Sequence, residues 1–266
     1  MLDWPDHISA KTLERMGLAI IEGSEPESVL RLYRIIVWVK AISAIATLAP
    51  LISSERLKIH FGTLKKQYEA SAIEDLNSIP LAATPSLTLA QALLSGVSQA
   101  FAASLCTLLT PWQKRLMQYM GNMSRSWMFA ALASKTIIAL NYHNITDPVP
   151  RNELEENIHA CVYTCCYYDK TLSLLLVRPP SLPDLKVDPA DLIHLDPARP
   201  TTAMITGIVR FAGLKHGLLK VILDTEKMGQ KEKANLLSDI MVRAHAIHSD
   251  SLEVSLILTK MIKGNE

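Results

Sequence analysis

Apolar positions recur at helical spacing along almost the whole chain, and no stretch alternates with period two over a useful length. Residues 8–22 carry one apolar face and predict a short amphipathic helix ended by Gly23. Ser24-Glu25-Pro26-Glu27 reads as a fresh helix start, with proline in the first turn and glutamate at the box position. That helix runs to about Ala49, before Pro50. Residues 54–77 place Leu57, Phe61, Leu64, Tyr68, Ile73 and Leu76 among mixed charges, which predicts a surface helix with one core face and a break near Ser71. Thr84-Pro85 opens the next helix, with Thr84 as its cap. From Pro85 to Gln113 there is no charge at all, and small residues are interspersed throughout. This pattern predicts a helix buried inside a bundle with close backbone approaches. Thr110-Pro111 punctuates it, and a further helix runs from Trp112 to about Asn141.

The stretch from Asn152 to Asp184 organises the rest. Asn152 can cap, and Glu155 sits at the capping-box position. No glycine or proline follows until Arg178-Pro179-Pro180, where two prolines stop the helix and Pro183 extends the stop. Val162, Cys165, Tyr168, Asp169, Leu172 and Leu176 predict one stripe facing a core, with Asp169 on or beside it. An acid on a buried stripe needs a partner. Two candidates stand open, a pair with Arg178 or the capping of a neighbouring turn. Lys170 lies about 100° round the helix.

Beyond the prolines, residues 185–200 read as a proline-punctuated connector in which Asp188-Pro189-Ala190-Asp191 makes a short capped turn. Thr201 or Thr202 starts a helix to about Asp224. Its glycines, Gly207, Gly213 and Gly217, suggest close packing or a bend; no strand precedes them to make a phosphate loop. A last helix or pair covers Lys231 to Ile262, with Ser249-Asp250-Ser251 as the break.

Composition sharpens the picture. Of 266 residues, 49% are apolar and 20% charged, which predicts a sizeable core and excludes a disordered chain. A formal net charge of +1 argues against a surface built mainly for nucleic acid or anionic membrane. Residues 35–52 are apolar enough to suggest a membrane span, but Lys40 interrupts them, and a charge near mid-span costs roughly 3 kcal/mol. The 85–113 run is too diluted by Ser, Thr and Gln for the ~20 apolar residues a span needs. No membrane association is expected. The four cysteines lack a disulfide framework, which fits a reducing compartment, and the N-terminus has no secretory pattern.

Several constellations resemble chemistry and fail on spacing. His245 and His248 lie one turn apart without a third ligand. Cys161 and Cys165 share a face but not the spacing of a zinc hairpin, and read as small buried hydrophobes. His159 and Cys166 are two turns apart, about 10.5 Å of rise, too far for direct activation. No GxSxG, HExxH or P-loop pattern occurs. No catalytic, cofactor-binding or metal-ligating residue is assigned, and no cofactor is expected.

Two motifs nevertheless carry a resemblance. Cys161 to Lys170, then Leu172-Ser173-Leu174 and Arg178-Pro179-Pro180, form the first. The second is Trp127, Ala131, Ala133, Lys135, Leu140 and His143 at matching intervals. Together they resemble the regulatory (middle homology) domain of fungal zinc-cluster transcription factors, the fungal-specific transcription factor domain. The residues that carry the resemblance are Trp127, Lys135, His143, Asp169, Arg178, Pro179 and Pro180. Asn141 and Val177 stand where that family usually has glycine, and Tyr168 where it usually has an aliphatic residue. Asn141 tolerates a left-handed cap.

The resemblance covers roughly residues 85–195. It implies an all-α fold, here one multi-helix bundle-like domain over residues 1–266, in a nuclear protein, with the cytoplasm as the alternative location. It implies transcription regulation, here of a fungal secondary-metabolite gene cluster, through a small apolar ligand or a partner transcription factor. Four cysteines cannot supply a six-thiolate zinc cluster, so direct DNA binding by this chain alone is not expected. A homodimer through helix faces stays open, as does a fragment of a longer factor. A second function class is a cofactor-free cyclase or isomerase built on the same fold. Tyr163, Tyr167, Tyr168, Asp169, Arg178 and His143 are polar groups that could line an apolar cavity in either case.

Overall fold

The structure, a computed structural model, describes the backbone of residues 7–80, 82–106, 112–194, 201–224 and 228–263, and their side chains except at 50, 100–106, 112–122, 201, 204 and 250–263. Among the described residues it is all-helical, with eight α-helices and no strand. The chain divides into two compact units, His7–Leu140 and Asn141–Glu266. The boundary falls inside the 85–195 stretch, within what the sequence reading takes as one domain.

The first unit holds α1 (Ala10–Glu22), α2 (Glu27–Leu48), α3 (Glu55–Asn77), α4 (Leu87–Cys106) and α5 (Trp112–Ala139). Ser9 caps α1 by accepting the Thr12 N–H at 3.1 Å. Gly23 ends it in the left-handed region at φ 62°, where a side chain would be strained. α2 starts later than the sequence suggests. Pro26, not Ser24, is its N-cap, with no side-chain cap, and the Pro26 carbonyl accepts from Val29 and Leu30. A 3-10 turn, Ala49–Leu51, follows.

α3 runs unbroken through Ser71, because a serine between alanines only weakens a helix. Its core face is shorter than expected: Ala72 and Leu76 are buried, whereas Leu57 and Ile73 are exposed. Trp38 of α2 stacks on Tyr68 of α3, with ring centroids 4.8 Å apart and planes within 6°. Arg34 of α2 bridges Glu27 at 2.6 Å and Asp75 at 3.2 Å. Arg125 of α5 donates to the Asn77 side chain.

α4 is buried on every side from Leu89 to Val97, as its uncharged sequence requires. Its cap is Ser86 rather than Thr84, with the Leu89 N–H donating to the Ser86 hydroxyl at 3.1 Å. Thr84 precedes a proline and is pushed toward extended backbone, which leaves the cap to Ser86. A Cβ added at Gly96 would lie 2.8 Å from Leu76 Cδ2, so this glycine marks a close approach of α3. His7 Nε2 lies 3.0 Å from the Gln91 carbonyl, while the Gln91 amide donates to the His7 carbonyl at 3.1 Å. The pair satisfies two buried backbone carbonyls at once. The expected Thr110-Pro111 break lies outside the described residues.

The second unit holds α6 (Glu153–Leu176), α7 (Thr201–Leu223) and α8 (Gln230–Lys263), with 3-10 turns at Tyr142–Asn144 and Pro189–Leu192. α6 packs on α7, and α7 on α8. Asp188 caps the second turn by accepting the Ala190 N–H at 2.9 Å, as its sequence suggests. The rest of the connector, residues 195–200, lies outside the description. Gly217 meets Ile240 of α8 at 3.2 Å from where its Cβ would be, whereas Gly213 meets nothing. α8 continues through Ser249, Asp250 and Ser251 without the expected break. Those residues are weak helix formers but neither remove a donor nor clash. Among the described residues no helix is long and apolar enough to cross a membrane.

Candidate functional site

The site is built on α6. Asn152 caps it, accepting the Glu155 N–H at 2.9 Å. Glu155 reaches back to the N–H of Arg151 at 2.7 Å, one residue before the usual capping-box partner. Glu153, Glu155 and Glu156 fill the first turn, where the helix dipole favours negative charge. From Cys161 to Ser173 every residue is buried, so α6 has no solvent face there and the single stripe expected from its sequence understates its burial.

The C-terminus ends in a Schellman motif. The Arg178 N–H donates to the Ser173 carbonyl at 2.9 Å, and the Val177 N–H to Leu174 at 3.2 Å. Val177 is left-handed at φ 50°. For a β-branched residue this conformation is strained. Asn141, two residues after α5, is likewise left-handed, at φ 60°.

Counting donors past this point explains Asp169. The Arg178 N–H is used by the cap, and Pro179 and Pro180 have none. The next two donors, Ser181 and Leu182, both go to Asp169. Ser181 N–H lies 3.0 Å from each carboxylate oxygen, and Leu182 N–H lies 3.0 Å from Oδ2. Of the two partners left open by the sequence, the structure places the neighbouring turn on this carboxylate. Burial pushes the Asp169 carboxyl above its ordinary value, against the pull of the Leu182 and Ser181 N–H groups and of Lys170.

Beside this clamp lies a cluster that sequence reasoning missed. Lys170, its side chain only 10% exposed, places Nζ 3.7 Å from Asp184 Oδ1. His216 of α7 places Nε2 3.6 Å from the same oxygen. The His216 Nδ1 is buried without a hydrogen-bond partner. Burial pushes this imidazole below its ordinary value, Lys170 and Lys220 push the same way, and Asp184 opposes them. Lys215 donates to the Thr171 hydroxyl at 3.2 Å and sits 5.4 Å from the ring centroids of both Tyr167 and Phe211. Burial lowers its ammonium pKa and pushes the Tyr167 phenol up to about 12. The sequence did hold one signal for this cluster, two adjacent basic residues inside the apolar run of α7.

The other candidates separate. Burial pushes the Cys161 thiol up to about 12 and the Cys166 thiol up to about 11, so neither supplies a thiolate near neutral pH. His159 is held below its ordinary value by burial, with Glu155, Asp147 and the Pro148 carbonyl opposing. His143 sits in the 3-10 turn, its Nε2 3.3 Å from the Asn144 amide. Trp127 is half-buried and Lys135 exposed, both on α5 of the first unit. His245 Nδ1 lies 2.9 Å from the Met241 carbonyl, and His248 is exposed. Among the described residues no three His, Cys, Asp or Glu side chains gather as metal ligands would. No protein-family model, curated protein or solved structure matches the chain.

Proposed function

We propose that this chain is a transcription-regulating protein of the kind its two motifs resemble. It would act in the nucleus on a fungal secondary-metabolite gene cluster, controlled by a small ligand or a partner transcription factor. The observation that carries the reading is backbone geometry at two positions. Asn141 and Val177 stand where the resembled family has glycine, and they are the two non-glycine residues with positive φ among the described residues. A left-handed backbone is what glycine adopts without strain, so the conformation at both positions supports the resemblance.

A binding role is favoured over the cyclase or isomerase alternative by how α6 uses its polar groups. Asp169 is committed to the Ser181 and Leu182 N–H groups. The Cys161 and Cys166 thiols are held neutral by burial. Neither fits the perturbed but available acid or nucleophile that catalysis needs.

Disruption of the gene tests the reading. A collapse of transcripts from neighbouring biosynthetic genes supports regulation. Persistent transcripts with one accumulating intermediate would establish the enzyme instead. A fluorescent fusion that stays out of the nucleus under all growth conditions would sink the nuclear assignment.

A further inference from the structure

The helix pair α7–α8 has one charged side and one apolar side, and the apolar side is uncovered. A short connection returns α8 along α7, and Gly217 of α7 meets Ile240 of α8 across the seam. Each further residue turns a helix by ~100°, and the sense of turning reverses between antiparallel neighbours. One step past the facing pair, Leu218 and Met241 therefore point to the same side. Phe211 and Ile222 share the stripe of Leu218, at intervals of seven and four, and Leu237 shares that of Met241. These five side chains are between 38% and 59% exposed. The other side carries Lys220, Asp239 and Arg243, all exposed, with Arg243 bridging Asp239 at 2.8 Å.

An amphipathic pair ordinarily buries its apolar side and leaves its charged side in water. Here both sides face water. The size of the face says what would cover it. α7 has 23 residues, or ~35 Å of length, and two helices abreast are ~20 Å wide, which makes ~700 Å² on one side of the pair. A standard stable interface takes about 800 Å² from each partner. The five side chains carry no charge, so two copies laid face to face bring no like charges together. Lys215 lies at the α6 edge, its ammonium held on the Thr171 hydroxyl and the Tyr167 ring. The exposed apolar residues where α2 turns into α3 differ in this respect. Leu48, Leu51, Leu57 and Ile59 stand there among exposed Arg56, Lys58 and Lys66, which would repel a second copy.

We propose that the apolar side of α7–α8 is the interface between two copies of this chain. The same patch on each copy meets across a two-fold axis, and the two pairs stack as a four-helix arrangement. Leu218 and Met241 lie at its centre, with Phe211, Ile222 and Leu237 around them. Dimerisation is read from mass in solution and regulation from transcripts, so either can fail alone.

The test is sedimentation equilibrium of the full chain over roughly 0.5–50 µM. The mass should rise with concentration from 29.5 kDa towards twice that value. Leu218→Glu/Met241→Glu should weaken association roughly thirtyfold or more, as loss of central interface contacts does. Lys220→Glu, on the charged side of the same helix, should change it by less than about twofold. Circular dichroism checks the fold of each variant. If the double variant unfolds, Met241→Lys alone decides, since Met241 is the most exposed of the five at 59%. A wild-type chain that stays at the monomer mass across the range overturns the proposal and leaves the face to a different protein. So does a folded Leu218→Glu/Met241→Glu or Met241→Lys protein that associates as tightly as wild type, or a Lys220→Glu protein weakened as much as the interface variants.

Discussion

Both carboxylate oxygens of Asp169 accept the N–H of Ser181, at 3.0 Å each, across a separation of twelve residues. Removing the acceptor leaves the Ser181 and Leu182 amides unpaired at a buried position. Asp169→Ala should therefore cost about 2–4 kcal/mol. Asp169→Asn keeps one acceptor oxygen but turns an amide donor toward an N–H, and should cost somewhat less. Urea midpoints measure both, and an Asp169→Ala protein within 0.5 kcal/mol of wild type would remove the clamp from the account of stability.

Val177 carries left-handed backbone strain of about 1–2 kcal/mol. Glycine relieves it but has more freedom in the unfolded chain, which returns about 0.4–1 kcal/mol. Val177→Gly should leave a net gain of about 0.5–1 kcal/mol. At Asn141 the reverse substitution applies, and Asn141→Val should lose about 1–2 kcal/mol. Thermal melts of the two variants should move in opposite directions.

Gly96 meets Leu76 too closely to admit a methyl group without movement of that leucine. Gly96→Ala gains about 1 kcal/mol of helix propensity but overpacks by about 1–3 kcal/mol, so it should destabilise on balance. In a Leu76→Ala background the clash is gone, and the same substitution should stabilise. A double-mutant cycle in which the effect keeps its sign would refute the close approach of α3 to α4.

His159 and His216 are both held below the ordinary imidazole value. In acid the unfolded chain takes up protons at these sites before the folded one does. Their contribution is therefore fully present above about pH 6.5 and is lost as pH falls through the lower folded values. Stability should drop from pH 7.5 to 5.5. A His159→Gln/His216→Gln protein should lose less over the same interval, by urea midpoints. Equal losses would show that other groups carry the acid sensitivity.

Helix boundaries were legible wherever a single residue enforces them. Gly23, Asn152, Asp188 and the paired Pro179-Pro180 end or start elements by geometry that no packing overrides. Weak signals misled, since Ser71 and Ser249-Asp250-Ser251 lower helix propensity without breaking a hydrogen bond. The clamp was half legible. The sequence announces that Asp169 needs a partner, but backbone amides leave no mark in side-chain identity. They emerge only from counting donors past the prolines. Lys170 escaped because a charge on a helix ordinarily faces water, and Lys215 and His216 left only the faint mark of two adjacent basic residues inside an apolar run.

The span of the Asp169 clamp also bears on the order of events during folding. Its partners are twelve residues apart, whereas Lys215 and Thr171 are separated by 44. A short loop closes at small entropic cost and in roughly 10–100 ns, so its contacts form before distant ones are rewarded. Asp169 variants should accordingly slow refolding, with φ-values near 1, while Thr171→Val should mainly speed unfolding, with φ near 0. The reverse ranking would place the nucleus at the α6–α7 contact. On the expected ranking, α6 and the turn behind it form the nucleus, and α7 condenses onto a surface that is already shaped.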